Sequence, residues 1–406
     1  MTVDVRPINE AEVPAWVESM RNGFLGHAPE GEAEFRRPHL DLGRTLGAFD
    51  GDRVVGTLRS FTTSMTVPGG EATCAALTNV TVASTHRRQG ILTSMLNRDL
   101  AESVKRGEIV GALIAAEYPI YGRFGYGPAV ETQDLDVDAR VAWRVPRDGG
   151  SVEFVTGTEL RALGPPIYDT VMAATPGTIE RPDHVWDEDL GIIDWPGRPP
   201  KPDRFFVLGR NVGGQPDGFA VYHVEDKWDQ GRPRGTLHLE ELLAVDTPAL
   251  ARLWRFCLEV DWIATVKAEN QSVDNLLPWL VADAREVVTV ERGDLQWVRV
   301  LDAPAALSAR RYLASGAITI AIDDPLGHAA GTFALEGGPD GAECTRSTGV
   351  ADLALPVDVL GSAYLGGVPL TTLHRAGLVD ELTPGAVVRA DAMFRSPVAP
   401  WSITHF

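Results

Sequence analysis

The stretch of this chain that most restricts its fold is a strand that becomes a helix through a basic, glycine-ending loop. Residues 78–96 read TNVTVASTHRRQGILTSML, with strand character at the start and helical character at the end. His86, Arg87, Arg88, Gln89 and Gly90 stand between the two. Beyond Gly90, the residues Ile91, Leu92, Met95, Leu96, Leu100 and Val104 recur on one helical face, and Gly107 stands where a C-cap glycine belongs. The run IVGALIAAE, 109–117, follows as a nearly all-apolar strand of the kind buried on both faces. The N-terminus of such a helix carries unpaired N–H groups and a partial positive charge. Gly90 lets a ligand approach the backbone closely, and Arg87 and Arg88 supply guanidinium groups that match phosphate oxygens. Together these features predict a pocket for a phosphate or pyrophosphate. The loop is neither GxxxxGK[ST] nor GxGxxG, so it is not a P-loop or a dinucleotide fingerprint.

The rest of the first segment supports the same unit. Val13, Trp16, Val17, Met20 and Phe24 fall at helical spacing. Residues 45–61 hold an Asp-Gly turn between apolar runs and residues 65–82 a Pro-Gly-Gly turn, so both read as β-hairpins. At 406 residues the chain is too long for one ordinary core, and two or three domains are expected. RDGGS at 147–151 breaks the pattern and sets the first border. In the second segment, 235–245 is strand-like, 247–260 helical and 263–269 strand-like again. This echoes the first unit, but the intervening loop AVDTPAL has no arginine and no glycine, so it reads as a diverged copy without an anion site. DWPGRPPKPD, 194–203, reads as a surface excursion. From about Leu295 onward, short strands with glycine-rich turns and the helical stretch PVDVLGSAYLGG predict a small α+β domain. The expected domains are thus 1–147, 148–295 and 296–406.

Composition narrows the class of function. The start of the chain shows no apolar leader and no run of 18 apolar residues occurs, which points to a cytoplasmic protein. Cys74, Cys257 and Cys344 are far apart and read as reduced, buried thiols. The histidines are scattered and no metal signature is present, so no metal is expected. The lack of an apolar span argues against a membrane protein, and a net charge of −19 disfavours nucleic acid and suits a cationic small-molecule partner, although most of those charges serve solubility.

The strand, basic loop, helix and buried strand resemble the GNAT acetyltransferases, with Arg87-Arg88-Gln89-Gly90-Ile91-Leu92 at the family's pyrophosphate loop. VASTHRRQGIL followed by IYGRFGYGPA, together with RPDHVWDEDL, RVLDAPAALSARRY and the terminal phenylalanine, is similar to the Eis branch of N-acetyltransferases. That resemblance implies tandem GNAT folds, the second degenerate, followed by an α+β domain resembling sterol carrier protein. It also implies a homo-hexamer and acetyl-CoA as cosubstrate. Val80, Thr81 and Val82 would line the cofactor, Arg88, Gln89, Gly90, Ile91, Leu92 and Thr93 would hold the pyrophosphate, and Ala116 and Glu117 would close the site.

The resemblance assigns Tyr121 as the general acid for the leaving thiolate, with Tyr126 as a neighbour and Tyr118 the third tyrosine of the stretch. A tyrosine has an ordinary pKa of about 10 and stays protonated at neutral pH. It assigns the α-carboxylate of Phe406 as the general base for the acceptor amine, with Glu117 the alternative. Family acceptors are aminoglycosides and protein lysines, both cationic, and Asp187, Glu188 and Asp189 are candidates for guiding such a substrate. Leu92, His405 and Asn79 depart from the pattern: the GNAT loop ends on a small residue at the Leu92 position, and mycobacterial members carry an acidic and a bulky apolar residue at the positions of His405 and Asn79. Protein-lysine or polyamine acetylation is the alternative within this class. A non-catalytic acyl-CoA or lipid carrier is the alternative from another class.

Overall fold

The computed structural model describes residues 3–198 and 200–406. Residues 1 and 2, at the start where no apolar leader was read, and Pro199 of the proline-rich loop lie outside the described residues. The first hairpins form as their turns dictate. Strand β1 (Asp4–Pro7) flanks β2 (Thr45–Asp50), β2 turns at Gly51 into β3 (Arg53–Val67), and β3 turns at Pro68-Gly69 into β4 (Gly70–Val82). The helix Ile91–Lys105 buries Ile91, Met95, Leu96 and Leu100 and ends before Gly107, which takes φ +82. Val104, counted with that apolar face, lies in the last turn and is exposed. β5 (Val110–Ile114) then pairs parallel to β4, and its first four residues are buried. The N-terminal helix Val13–Gly23 buries Val13, Trp16, Val17 and Met20. Phe24, expected on the same face, sits past the helix end and is exposed, because the chain leaves the helix there.

The second segment repeats the plan. β6 (Gly127–Asp138), β7 (Ser151–Val155), β8 (Arg204–Arg210) and β9 (Pro216–Glu225) precede a small ribbon of β10 (Trp228–Asp229) and β11 (Arg232–Pro233). β12 (Gly235–Ala244), the helix Thr247–Leu258 and β13 (Ile263–Ser272) form the second strand–helix–strand unit, with β12 and β13 parallel. β14 (Val287–Val300) closes the segment.

The two copies share one sheet of 12 strands in the order β1-β2-β3-β4-β5-β14-β6-β13-β12-β9-β8-β7. They exchange strands. β14, late in the chain, pairs with β5 of the first copy, and β6, early in the chain, pairs with β13 of the second. The borders expected at 147 and 295 therefore divide the chain without dividing the sheet. Residue 295 falls inside β14, which continues to Val300. The reason is its burial: Val288–Asp294 are exposed, so the apolar signal of this strand resumes only near Leu295 and reads as a new start.

The third unit holds β15 (Gly316–Asp323), β16 (Gly331–Gly338), β17 (Gly341–Arg346), β18 (Leu353–Pro356) and β19 (Asp380–Glu381) in a five-stranded sheet packed with helices. Arg310 lies at its centre with no exposed surface. It donates to the carbonyls of Tyr364 and Phe394, the last residues of the helices Val357–Tyr364 and Ala386–Phe394. Two helix C-termini, each with partial negative charge, thus face one buried cation. The rings of Tyr312 and Phe394 lie 4.7 and 4.8 Å from its guanidinium carbon. Among the described residues, no helix is long and apolar enough to cross a membrane.

Removing this cation should leave buried carbonyls without donors. Arg310→Met is expected to lower stability by about 2–5 kcal/mol, read from the urea midpoint. An unchanged midpoint would contradict the role given to the two helix ends.

Candidate functional site

The first copy opens at the point where β4 leaves β5. Their pairing runs from Cys74–Val110 to Leu77–Leu113 and stops, while β4 continues to Val82. The departure is built into β4. Asn79 takes φ +54, and the register with β3 slips between Thr57 and Arg59, which makes a bulge. The Thr57 hydroxyl donates to the Asn79 carbonyl at 2.8 Å and meets the Thr81 hydroxyl at 2.7 Å, which pins the bulge. Among the described residues, the edge of β4 that faces β5 has no strand partner over Thr78–Val82. Unpaired N–H and C=O groups there can receive an extended ligand as an added strand. Val80 and Val82 pack against the helix-side core, and Thr81 is buried against Gly23 of the N-terminal helix.

The basic loop lies directly beyond. Gly90 is the N-cap of the helix Ile91–Lys105, with φ +78 and no side chain capping the helix. Arg88 also takes a positive φ, +63. Arg87, Arg88, Gln89, Gly90 and Thr93 are exposed, and a Cβ at Gly90 would meet nothing within 4 Å. Leu92, larger than the residue usual at its position, packs into the helix-side core. His86 turns aside to Thr85 at 2.8 Å and Asp50 at 3.3 Å.

The second copy is closed at the equivalent place. Its helix is capped by Asp246, whose side chain accepts from the Ala249 N–H at 2.8 Å. β12 and β13 also part, after Leu239–Ala268, with a register slip between Leu239 and Glu241. The chain's own tail runs across that second opening. Trp401, Ile403, Thr404 and His405 line a cavity of about 420 Å³ together with residues of β12 and β13.

Hydrogen bonds fix the tail along its length. The Trp401 indole donates to the Asn270 carbonyl at 2.8 Å, and the Asn270 amide donates to the Ser402 carbonyl at 3.2 Å. Thr404 meets the Tyr168 hydroxyl at 2.7 Å and accepts from Arg181 at 3.0 Å, while Arg181 pairs with Glu241 at 2.7 Å. His405 stands on the cavity wall. The ring of Phe406 then stands edge-on to Phe61 at 5.8 Å. Phe61 lies opposite Ala76 in the register of β3 and β4, one residue before the last β4–β5 pair. Among the described residues the terminal carboxylate has no ion-pair partner.

Tyr121 packs on the other face of the sheet. It ends the short helix Tyr118–Tyr121 after β5 and packs in one cluster with Leu77 and Leu113. Neighbouring strand residues point to opposite faces, so the Leu77 side and the Ala76–Phe61 side are the two faces of the sheet. Tyr121 is 8% exposed, whereas Tyr126 at 1% is sealed, with the two rings 6.3 Å apart. Burial, and secondarily Glu117, pushes the Tyr121 hydroxyl up to about 12, above the ordinary value used in reading the sequence. Tyr118 is exposed, edge-on to Trp297 at 4.7 Å, and Ala116 and Glu117 are exposed just past the end of β5.

The acidic WDED stretch divides. Asp187 is engaged by Arg161 at 2.7 Å and Glu188 by Arg198. Asp189 lines the cavity beside the tail. The contributions of Thr57, Phe61, Arg181 and Asn270 escaped the sequence reading. Each acts across strands or domains, and no local spacing marks it.

Comparison with known proteins places these features. Residues 4–129 match a family described as an acetyltransferase (GNAT) domain, residues 177–300 match another family of the same description, and residues 303–403 match the sterol carrier protein domain. The chain is 38% identical over 408 residues to an uncharacterized N-acetyltransferase of Streptomyces avermitilis, covering 98% of this chain and 97% of that protein. It is 37% identical over 366 residues to the N-acetyltransferase Eis of Mycobacterium tuberculosis, covering 87% of this chain and 86% of that protein. The crystal structure of Eis1 from Mycobacterium abscessus superposes with a TM-score of 0.87 at 32% identity, over 99% of this chain and 100% of that one.

The setting of Tyr121 has a spectroscopic consequence. Burial disfavours the phenolate, so this hydroxyl should ionise near 12. The difference in tyrosinate absorbance between the native protein and Tyr121→Phe is expected to emerge only above about pH 11. A difference titrating near 10 would show that the hydroxyl is solvated.

Proposed function

The chain belongs to the Eis family of N-acetyltransferases, and from that premise we propose that it moves acetyl from acetyl-CoA to an amine of a small cationic acceptor such as an aminoglycoside. The observation that carries this reading is that Tyr121 packs in one cluster with Leu77 and Leu113, the last β4–β5 pair, while the Phe406 ring stands beside Phe61 on the other face of the sheet.

The residues suit acetyl-CoA. The open helix end at Gly90, with Arg88, Gln89, Ile91, Leu92 and Thr93, offers N–H groups and positive charge to the pyrophosphate. The free edge of β4 at Val80, Thr81 and Val82 offers hydrogen bonds to the pantetheine amides, with Ala116 and Glu117 across the opening. A backbone N–H near Val80 would stabilise the oxyanion as the amine nitrogen attacks the thioester carbonyl. The new C–N bond forms, the C–S bond breaks, and the thiolate takes the proton of the Tyr121 hydroxyl. Burial keeps that hydroxyl neutral, and the same dry surroundings raise the proton affinity of the leaving thiolate. The amine's proton passes to the Phe406 carboxylate, directly or through water, and solvent restores both groups.

Two features support a small polycation over a protein lysine. The space beside the tail is a cavity of about 420 Å³. Among the described residues, its carboxylates Asp189 and Glu269 have no ion-pair partner, while Glu240 and Glu241 are engaged by His223 and Arg181. The acceptor is tested by thiol release from acetyl-CoA with tobramycin, spermidine or a lysine peptide. Tobramycin is expected to give the highest kcat/KM. Release with the peptide alone would move the acceptor to protein, and no release with any amine would remove the enzyme reading.

The base is tested separately. A few residues added after Phe406 keep its ring and displace its charge. That protein is expected to lose roughly 10²-fold or more in kcat, with acetyl-CoA affinity and Tm nearly unchanged. Full turnover would return the role to Glu117 or to solvent.

A further inference from the structure

We infer that Arg299 is a positioning residue for Tyr121, through which the third domain sets the geometry of the acetyl-transfer site. The inference rests on Tyr121 being the proton donor. Among the described residues the Tyr121 hydroxyl has no hydrogen-bond partner, so its aim depends on ring packing and on the backbone that carries it. That backbone continues into the 3-10 turn Gly122–Phe124, then Gly125, Tyr126 and β6.

Arg299 holds this turn from beneath. It stands on β14, opposite Gly111 of β5, with no exposed surface. Its Nη1 donates to the carbonyl of Phe124, the last residue of the turn. Its Nη2 donates to both oxygens of Asp324, at 3.1 and 2.9 Å. Asp324 belongs to the third unit, just after β15, and its side chain is also fully buried. It accepts from the N–H groups of Leu326 at 3.0 Å and Ala329 at 2.9 Å, so its orientation is fixed in turn. The approach is close enough to exclude a side chain from the turn. A Cβ on Gly125, where φ is +83, would stand 1.6 Å from Arg299 Nη1 and 2.7 Å from Val357. One on Gly127 would stand 1.9 Å from the Asp358 carbonyl. The turn is therefore clamped between Arg299 and the helix Val357–Tyr364. The clamp passes to Tyr121 through Gly125 N–H to Gly122 at 2.8 Å and Tyr126 N–H to Tyr121 at 3.3 Å.

A fully buried ion pair is a poor source of stability, since apolar side chains of similar volume do as well. What a planar guanidinium supplies is direction: a fixed fork that bonds a carboxylate on one side and a carbonyl on the other. Reacting groups displaced by about 1 Å can lose roughly 10²-fold in rate, so a proton donor aimed by ring packing and backbone alone, with no hydrogen bond to its hydroxyl, needs such a fork.

The test is a double-mutant cycle on the full chain. Arg299→Lys keeps a cation for Asp324 and loses the fork. It is expected to lower kcat about 10- to 100-fold, with the Kd for acetyl-CoA unchanged. In a Tyr121→Phe background, already slowed about 10²–10⁴-fold, the same substitution is expected to cause no further loss. Asp324→Asn, nearly isosteric, should repeat the pattern and serves if Arg299→Lys does not fold. Equal losses in both backgrounds, or no loss in the native background, would overturn the positioning role and leave Tyr121 as the acid. A fully active Tyr121→Phe protein would overturn the acid assignment and this inference together.

Discussion

Strand β14 is hydrogen-bonded along both edges, to β5 over Val110–Ile114 and to β6 over Gly127–Val137. Because its partners come from the other half of the chain, neither copy of the fold is complete by itself. The exchange of β6 and β14 places the two strand–helix–strand units in one continuous sheet, with both openings held at fixed positions in it. The buried end of β14 carries three attachments. Gln296 holds the Gly177 carbonyl at 3.1 Å, Trp297 packs beside Tyr118, and Arg299 reaches Phe124 and Asp324. The segment after Gly177 in turn lies against the end of β3, and Thr178 accepts the tail by donating to the Trp401 carbonyl at 2.9 Å. The turn that follows Tyr121, the third domain and the C-terminus are thus registered to one strand.

The same physics explains why the two copies differ. A helix N-terminus presents donors and positive potential, and something must answer them. In the first copy the N-cap is a glycine with no neighbour, so the answer must come from outside. In the second copy it is supplied from within by the Asp246 carboxylate. The opening between β12 and β13 has been turned to another use, as a bed for the tail that brings Phe406 to the first opening. The degenerate copy thereby holds the end of the chain beside Phe61 of the first copy.

What could be read in the sequence was what is local. The Asp-Gly and Pro-Gly-Gly turns, the apolar stripe from Ile91 to Leu100, the C-cap Gly107 and the uncapped Gly90 each state their geometry within a few residues. The loss of the second anion site was visible as an absence of arginine and glycine, although the part played by Asp246 was not drawn from it. Strand exchange was not legible, because the pairing of β14 with β5 joins residues 296–300 to residues 110–114, far apart in the chain, and leaves no periodic trace. The exposed run Val288–Asp294 even suggested a domain border where a strand continues. The bulge at Asn79 was hidden as well. Asn79 departs from the family pattern, but its positive φ and its hold on Thr57 depend on β3. The resemblance named Tyr121 and Phe406. Their approach from opposite faces follows only from the register of Ala76 and Leu77 with Phe61 and Leu113.

The central claim is that one opening takes acetyl-CoA and the other, closed by the chain itself, does not. Isothermal titration of the native protein with acetyl-CoA measures this directly. The account predicts a stoichiometry of one per chain, abolished by Gly90→Asp, whose new Cβ meets no protein atom and whose charge faces the pyrophosphate. Two sites per chain, or one that survives Gly90→Asp unchanged, would contradict it.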